Sequence, residues 1–199
     1  MPTFFYLCTK FNKKYVEKFI DLVKTRRSMR KFTDDRVTDE ELKELMRAAL
    51  MAPSSKGSHC WEFAVVEDAA VLTQLSTCKQ VGSAFLAEAP MAIVVLADPQ
   101  VSDVWIEDAS VASTMLLLQA EDLGLGACWV QIRDRQDENG VPAEEIVRRI
   151  LGIPEHLRIL SIVAVGRKGM ERKPFNEDRL LWNKIHKYDP LQPLFEEKN

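Results

Sequence analysis

Leu123-Gly-Leu-Gly-Ala-Cys-Trp129 decides between two folds. Its glycines match the opening of the G-x-G-x-x-G loop that cradles dinucleotide phosphates, but Trp129 stands at the third glycine position. Order weighs more than composition. A phosphate loop of that kind follows a strand and opens a helix. Here the reverse holds: Asp103 to Leu123 is the longest helical period of the chain, with Ala109, Ala112, Leu116, Ala120 and Leu123 on one stripe, and Ala127 to Ile132 reads as a strand. Gly124 is then the left-handed cap of that helix. A Rossmann fold is excluded, and the glycines mark a helix-to-strand corner whose backbone amides are free to face a ligand.

Outward from that corner, helices and strands interleave. Thr38-Asp-Glu-Glu41 has the form of a capping box, and Leu42, Leu45, Met46, Ala49 and Leu50 extend a helical stripe until Pro53-Ser-Ser-Lys-Gly-Ser58 breaks it. Trp61 to Val66 predicts a strand, Ala69 to Lys79 a helix, and Met91 to Ala97 a buried strand entered after Pro90. A further helix has Pro142 in its first turn and ends at Gly152 and Pro154, before a strand from Leu157 to Val165. Tyr15 to Val23 is helical in period. No repeat or linker divides the 199 residues, so one core is expected.

The net charge of −3, with both signs interspersed, offers no basic field for nucleic acid and no basic amphipathic stretch for a membrane surface. The longest apolar run, Met91 to Ala97, is strand-sized, far short of the ~20 residues that span a bilayer. Met1 to Cys8 is apolar but lacks the flanks of a secretion signal. Cys8, Cys60, Cys78 and Cys128 form no C-x-x-C pair, so neither a metal site nor a disulfide framework is expected. Reduced thiols in the cytoplasm are the plain reading.

Chemistry concentrates in Arg26-Arg-Ser-Met-Arg-Lys-Phe32. If this segment is extended, Arg26, Ser28 and Arg30 point to one side. Their Cα atoms then span roughly 13 Å, comparable to the reach from a flavin's phosphate to its ring. Arg26 and Ser28 suit a phosphate, and Arg30 would place a fixed positive charge near the ring. The competing reading is a basic turn at a helix C-terminus. Ala52 to Phe63 similarly offers hydroxyl and amide donors, or is an ordinary connection rich in turn formers.

Taken in order, Arg26 to Phe32 with Val37, then Ala-Pro-Ser-Ser with Trp61-Glu-Phe63, then Gly124-Leu-Gly126 with Trp129, resemble the nitroreductase family of FMN-dependent oxidoreductases from about Phe19 onward. The resemblance implies one α+β domain over 19–199, a mixed central sheet flanked by helices, with residues 1–18 an N-terminal extension. It also implies an intertwined homodimer with FMN at the subunit interface. It makes Arg26, Arg27 and Ser28 contacts to the phosphate and ribityl chain, and sets Arg30 beside the pyrimidine edge. Pro53, Ser54 and Ser55 would come from the partner subunit, the Gly126 to Trp129 backbone with Cys128 would line the ring, and Arg167 and Lys168 would supply a late phosphate contact, with Arg172 and Lys173 as alternatives. Where the family has Gln-Pro-Trp, this chain has His59-Cys60-Trp61, so His59 is either the donor or acceptor that replaces the missing amide or a solvated loop histidine. The implied reaction is ping-pong transfer from NADH or NADPH to a nitroaromatic, quinone or similar acceptor, with no catalytic side chain because the flavin carries the chemistry. A flavin carrier or sensor without turnover, and a specialised flavin enzyme of the same fold, are the rivals.

Overall fold

Seven apolar residues in a row, Met91–Ala97, form β2, and all are buried. In the computed structural model, which describes residues 18–187, the other strands are β1 (Trp61–Val66), β3 (Leu125–Gln131) and β4 (Arg158–Arg167). The sheet runs in the order β1-β2-β4-β3. Its three ladders are antiparallel. The parallel component of the expected mixed sheet is a single bridge, Ser28 to Ala127, on the outer edge of β3.

An unbroken apolar strand requires cover on both faces, and helices supply it. Ala92, Val94 and Leu96 meet Leu72 and Leu75 of α3 (Ala69–Ser76) and Val147 of α5 (Ala143–Leu151). Their neighbours Met91, Ile93, Val95 and Ala97 meet Leu45 and Ala49 of α2 (Asp39–Leu50), and Ala109, Leu116 and Ala120 of α4 (Trp105–Asp122). Each leucine buried in this way contributes about 1.5–3 kcal/mol. The β2–β4 register shifts between Val95 and Leu96. The extra residue in β4 lets Leu160 and Ser161 both face α4, where the Ser161 hydroxyl lies 3.4 Å from that of Ser113.

Element ends follow local chemistry. Thr38 and Glu41 form the capping box: the Thr38 amide donates to Glu41 Oε2 at 2.9 Å, and the Glu41 amide to Thr38 Oγ1 at 3.2 Å. Gly124 (φ 75°) and Gly152 (φ 65°) adopt the left-handed conformation that ends α4 and α5. Helix α3 stops at Ser76, short of Lys79. There the hydroxyls of Ser76 and Thr77 donate to the carbonyls of Thr73 and Gln74, and the Cys78 amide closes a tight turn on Leu75. Helix α1 covers Phe19–Thr25; the start of the expected helix at Tyr15, and most of the expected N-terminal extension, lie outside the described residues.

After α1 the chain crosses one corner of the sheet. The Met29 amide donates to Ala127 O at 2.9 Å, the Thr33 amide to Arg167 O at 3.2 Å, and the Gly169 amide to Lys31 O at 2.9 Å. Residues 26–33 are thereby tied to the start of β3 and the end of β4. Two glycines make the crossing possible. A Cβ at Gly126 would stand 2.5 Å from Met29 Cγ, and one at Gly166 would stand 2.9 Å from Phe32 Cδ1 and 2.5 Å from Pro90 Cγ.

Candidate functional site

The crossing segment is extended, so its side chains part by parity. Thr25, Arg27 and Met29 line one cavity of about 510 Å³, together with Glu121, Lys168 and Arg172. Arg26, Ser28 and Arg30 act instead on the thiol of Cys128. Burial pushes the Cys128 thiol up, while Arg30, the Ser28 hydroxyl, Lys79 and Arg26 pull it back. Three cations and a hydroxyl thus act on one thiol of β3, the edge strand. Among the described residues none of Arg26, Arg30 and Lys79 forms an ion pair. Arg30 lies 5.9 Å over the ring of Phe85. Burial pushes Lys79 down, and Arg135 and Arg30 add to that push against the opposing effect of the neighbouring thiols. A half-buried cation beside other cations is a standing demand for an anion.

Lys79 was not among the expected residues. It follows an apolar helix in a polar loop, without local signal, and only the packing of α3 brings it to Cys128.

Not every expected residue joins this cradle. Arg167 forks onto Glu41 at 2.7 and 2.9 Å. Lys168 pairs with Glu121 at 2.8 Å. With Arg27, Lys168 belongs to the cavity on the opposite side of the crossing segment. Trp129 also turns away from Cys128, toward the α4 face, and its indole N–H donates to Gln131 Oε1 at 2.9 Å.

The loop of Pro53, Ser54, Ser55 and His59 stands elsewhere. It precedes Trp61, which pairs with Ala97 at one end of the sheet, on the β1 edge. Ser28 meets Ala127, which is level with Val165 and Met91 near the other end, on the β3 edge. Three strand spacings sideways and about six residues lengthwise separate the two by roughly 20–25 Å. Nothing as short as the Arg26-to-Arg30 span bridges that diagonal within one chain.

The loop is strained and pinned. Lys56 (φ 54°) and His59 (φ 48°) are left-handed without being glycine. The His59 amide donates to Ser54 Oγ at 3.1 Å, and the His59 ring lies 5.4 Å from that of Trp61. Asp108 of α4, buried, accepts from the Ser55 amide at 2.8 Å, the Ser102 hydroxyl at 2.9 Å, the Ser58 hydroxyl at 3.3 Å and the Cys60 thiol at 3.6 Å. Burial pushes the Cys60 thiol up, and the Asp108 carboxylate pushes it further, so it is no activated nucleophile.

The family model described as "Nitroreductase family" matches residues 23–78 and 73–167. A protein of Archaeoglobus fulgidus, provisionally named as an NADH dehydrogenase/NAD(P)H nitroreductase, is 33% identical over 177 residues, covering 86% of this chain and 98% of its own. A Thermus thermophilus protein named NADH dehydrogenase is 28% identical over 186 residues, covering 75% of this chain and 86% of its own. Among solved structures, an FMN-dependent nitroreductase from Clostridium difficile R20291 superposes with a TM-score of 0.83 at 43% identity, covering 86% of this chain and 99% of that one.

Proposed function

The chain belongs to the nitroreductase family, and we propose that it is an FMN-dependent oxidoreductase moving electrons from NADH or NADPH to a nitroaromatic, quinone or similar acceptor. One observation carries the cofactor assignment: Arg26, Arg30 and Lys79, without carboxylate partners among the described residues, all act with Ser28 on the Cys128 thiol, next to the Ser28–Ala127 bridge on the outer edge of β3. The residues present fit the group. Arg26 offers a planar fork for phosphate oxygens, and Ser28 adds a hydroxyl donor. Arg30 and Lys79 hold fixed positive charge where a ring acquiring negative charge is stabilised. When bound, FMN supplies the hydride chemistry that no side chain here provides. The chain's own part is to fix the phosphate, orient the ring along β3 and keep cations beside it. Donor and acceptor use the same position in turn, which makes the kinetics ping-pong.

The diagonal between the loop and the cradle supports a homodimer. A loop at one corner completes a cradle at the opposite corner only in a second copy. The faces for such pairing are available: Phe19 and Ile20 of α1, and Leu50 and Met51 at the end of α2, are 69%, 61%, 58% and 69% exposed, and both helices pack on α4. No helix of the described residues is long and apolar enough to cross a membrane. Free Cys60, Cys78 and Cys128 support a reducing compartment, and we place the protein in the cytoplasm.

The test is the visible spectrum of the purified protein during anaerobic addition of NADH and then NADPH. Flavin bands that bleach, and return on addition of a quinone or nitroaromatic, are the expected result. Bound FMN without turnover across several acceptors would make the protein a carrier or sensor. Failure to bind FMN at all would remove the assignment.

A further inference from the structure

We propose that Asp108 is a positioning residue for the flavin site: it sets the shape in which the Pro53 to His59 loop is presented to the cradle of a second copy, and it ties that loop to the 98–104 segment. The proposal rests on the two-copy FMN reading above.

Asp108 is 5% exposed, and the four donors on its carboxylate include no cation. A buried carboxylate of this kind is tolerated only when hydrogen bonds saturate it, and apolar packing would fill the same space at less cost. Its donors therefore account for its presence. Three of them, Ser55, Ser58 and Cys60, bracket Lys56 and His59, the two left-handed residues of the loop that are not glycine. Such backbone persists where the surroundings over-determine it, and here those surroundings converge on one side chain. The fourth donor, Ser102, lies in the connection between β2 and α4. Burial pushes Asp108 up, but the Ser55 amide and the Ser102, Cys60 and Ser58 donors outweigh it and hold the carboxyl below its usual range. The side chain is an anion built for acceptance alone. Asp108 sits with the loop at the far corner from the cradle, so it acts on the cofactor through the loop it shapes.

The experiment uses Asp108→Asn, which keeps the volume and turns an acceptor oxygen into a donor. Three readouts are taken on the full chain: tryptic cleavage after Lys56, which is exposed, FMN affinity by fluorescence quenching, and flavin stoichiometry of mixed dimers with Arg26→Ala subunits. Expected are faster cleavage, an FMN dissociation constant raised about tenfold, and mixed dimers that keep one wild-type-affinity site, where an intact loop meets an intact arginine. FMN affinity within twofold of wild type with unchanged cleavage would overturn the proposal, as would mixed dimers lacking a tight site. If Asp108→Asn does not fold, the Ser58→Ala/Ser102→Ala double variant leaves the carboxylate in place, and a rise of about threefold is expected; no rise overturns the proposal. Wild-type protein that binds no FMN would instead defeat the function reading, and cleavage at Lys56 would then decide whether Asp108 shapes the loop.

Discussion

A methyl group at Gly126 would stand 2.5 Å from Met29 Cγ and 2.7 Å from Met29 Cβ. Met29 is buried and its amide is bonded to Ala127, so neither side can yield cheaply. Gly126→Ala is expected to cost about 1–3 kcal/mol by overpacking. It should also weaken FMN binding, because the backbone it displaces carries Arg26, Ser28 and Arg30. Urea unfolding and an FMN titration of the same variant check this; wild-type values in both would show that the crossing is not tight. The sequence marks Gly124 and Gly126 as a corner, and Gly124 does cap α4 as its spacing predicts. The partner of Gly126 is remote in the chain and leaves no trace in local pattern. Lys79 is hidden for the same reason. Arg26, Ser28 and Arg30 are legible because parity in an extended segment is a local property, and that parity also moves Arg27 to the other side.

Elements whose limits are set by neighbouring residues are the most legible. The strand from Trp61 to Val66, the strand from Met91 to Ala97 after Pro90 and the helix entered at the Thr38 capping box stand where the sequence predicts them. The end of α3 is misjudged because competing hydroxyl bonds end it before its apolar period does. Helix N-termini also carry tertiary work that no capping pattern announces. Glu41 both closes its box and receives the Arg167 fork. Glu144, in the first turn of α5, binds Arg158, the Ile159 amide and Arg148. Burial pushes both carboxyls up, but for Glu41 the Thr38 amide and Arg167, and for Glu144 Arg158 and the Ile159 amide, more than offset it, so both lie below the ordinary 4.5. The unfolded chain then takes up protons first as the pH falls. Their stabilisation is whole above about pH 5 and is lost as the pH drops through the folded values. Melting temperature measured from pH 7 to 3 should hold to about pH 5 and then fall, and Glu144→Gln should flatten that fall.

At the scale of the molecule, the proposed two-copy site, with loop and cradle on opposite corners, would bind cofactor retention to assembly. Dilution is expected to release FMN in step with dissociation of the dimer, read by recovery of free-flavin fluorescence against sedimentation of the same samples. Flavin retained by a monomer would break that link. The interleaved elements made the α+β class legible, but the strand order that creates the diagonal is a long-range pairing that no local pattern encodes. The buried thiols carry a different consequence. Cys60 lies under the loop, Cys78 under the end of α3 and Cys128 at the cradle, each at most 4% exposed, and burial pushes Cys78 up to about 11. An alkylating reagent reaches them only when the surrounding structure opens. Their separate modification rates therefore time the opening of three regions in the unmutated protein, a set of clocks already wound into the chain.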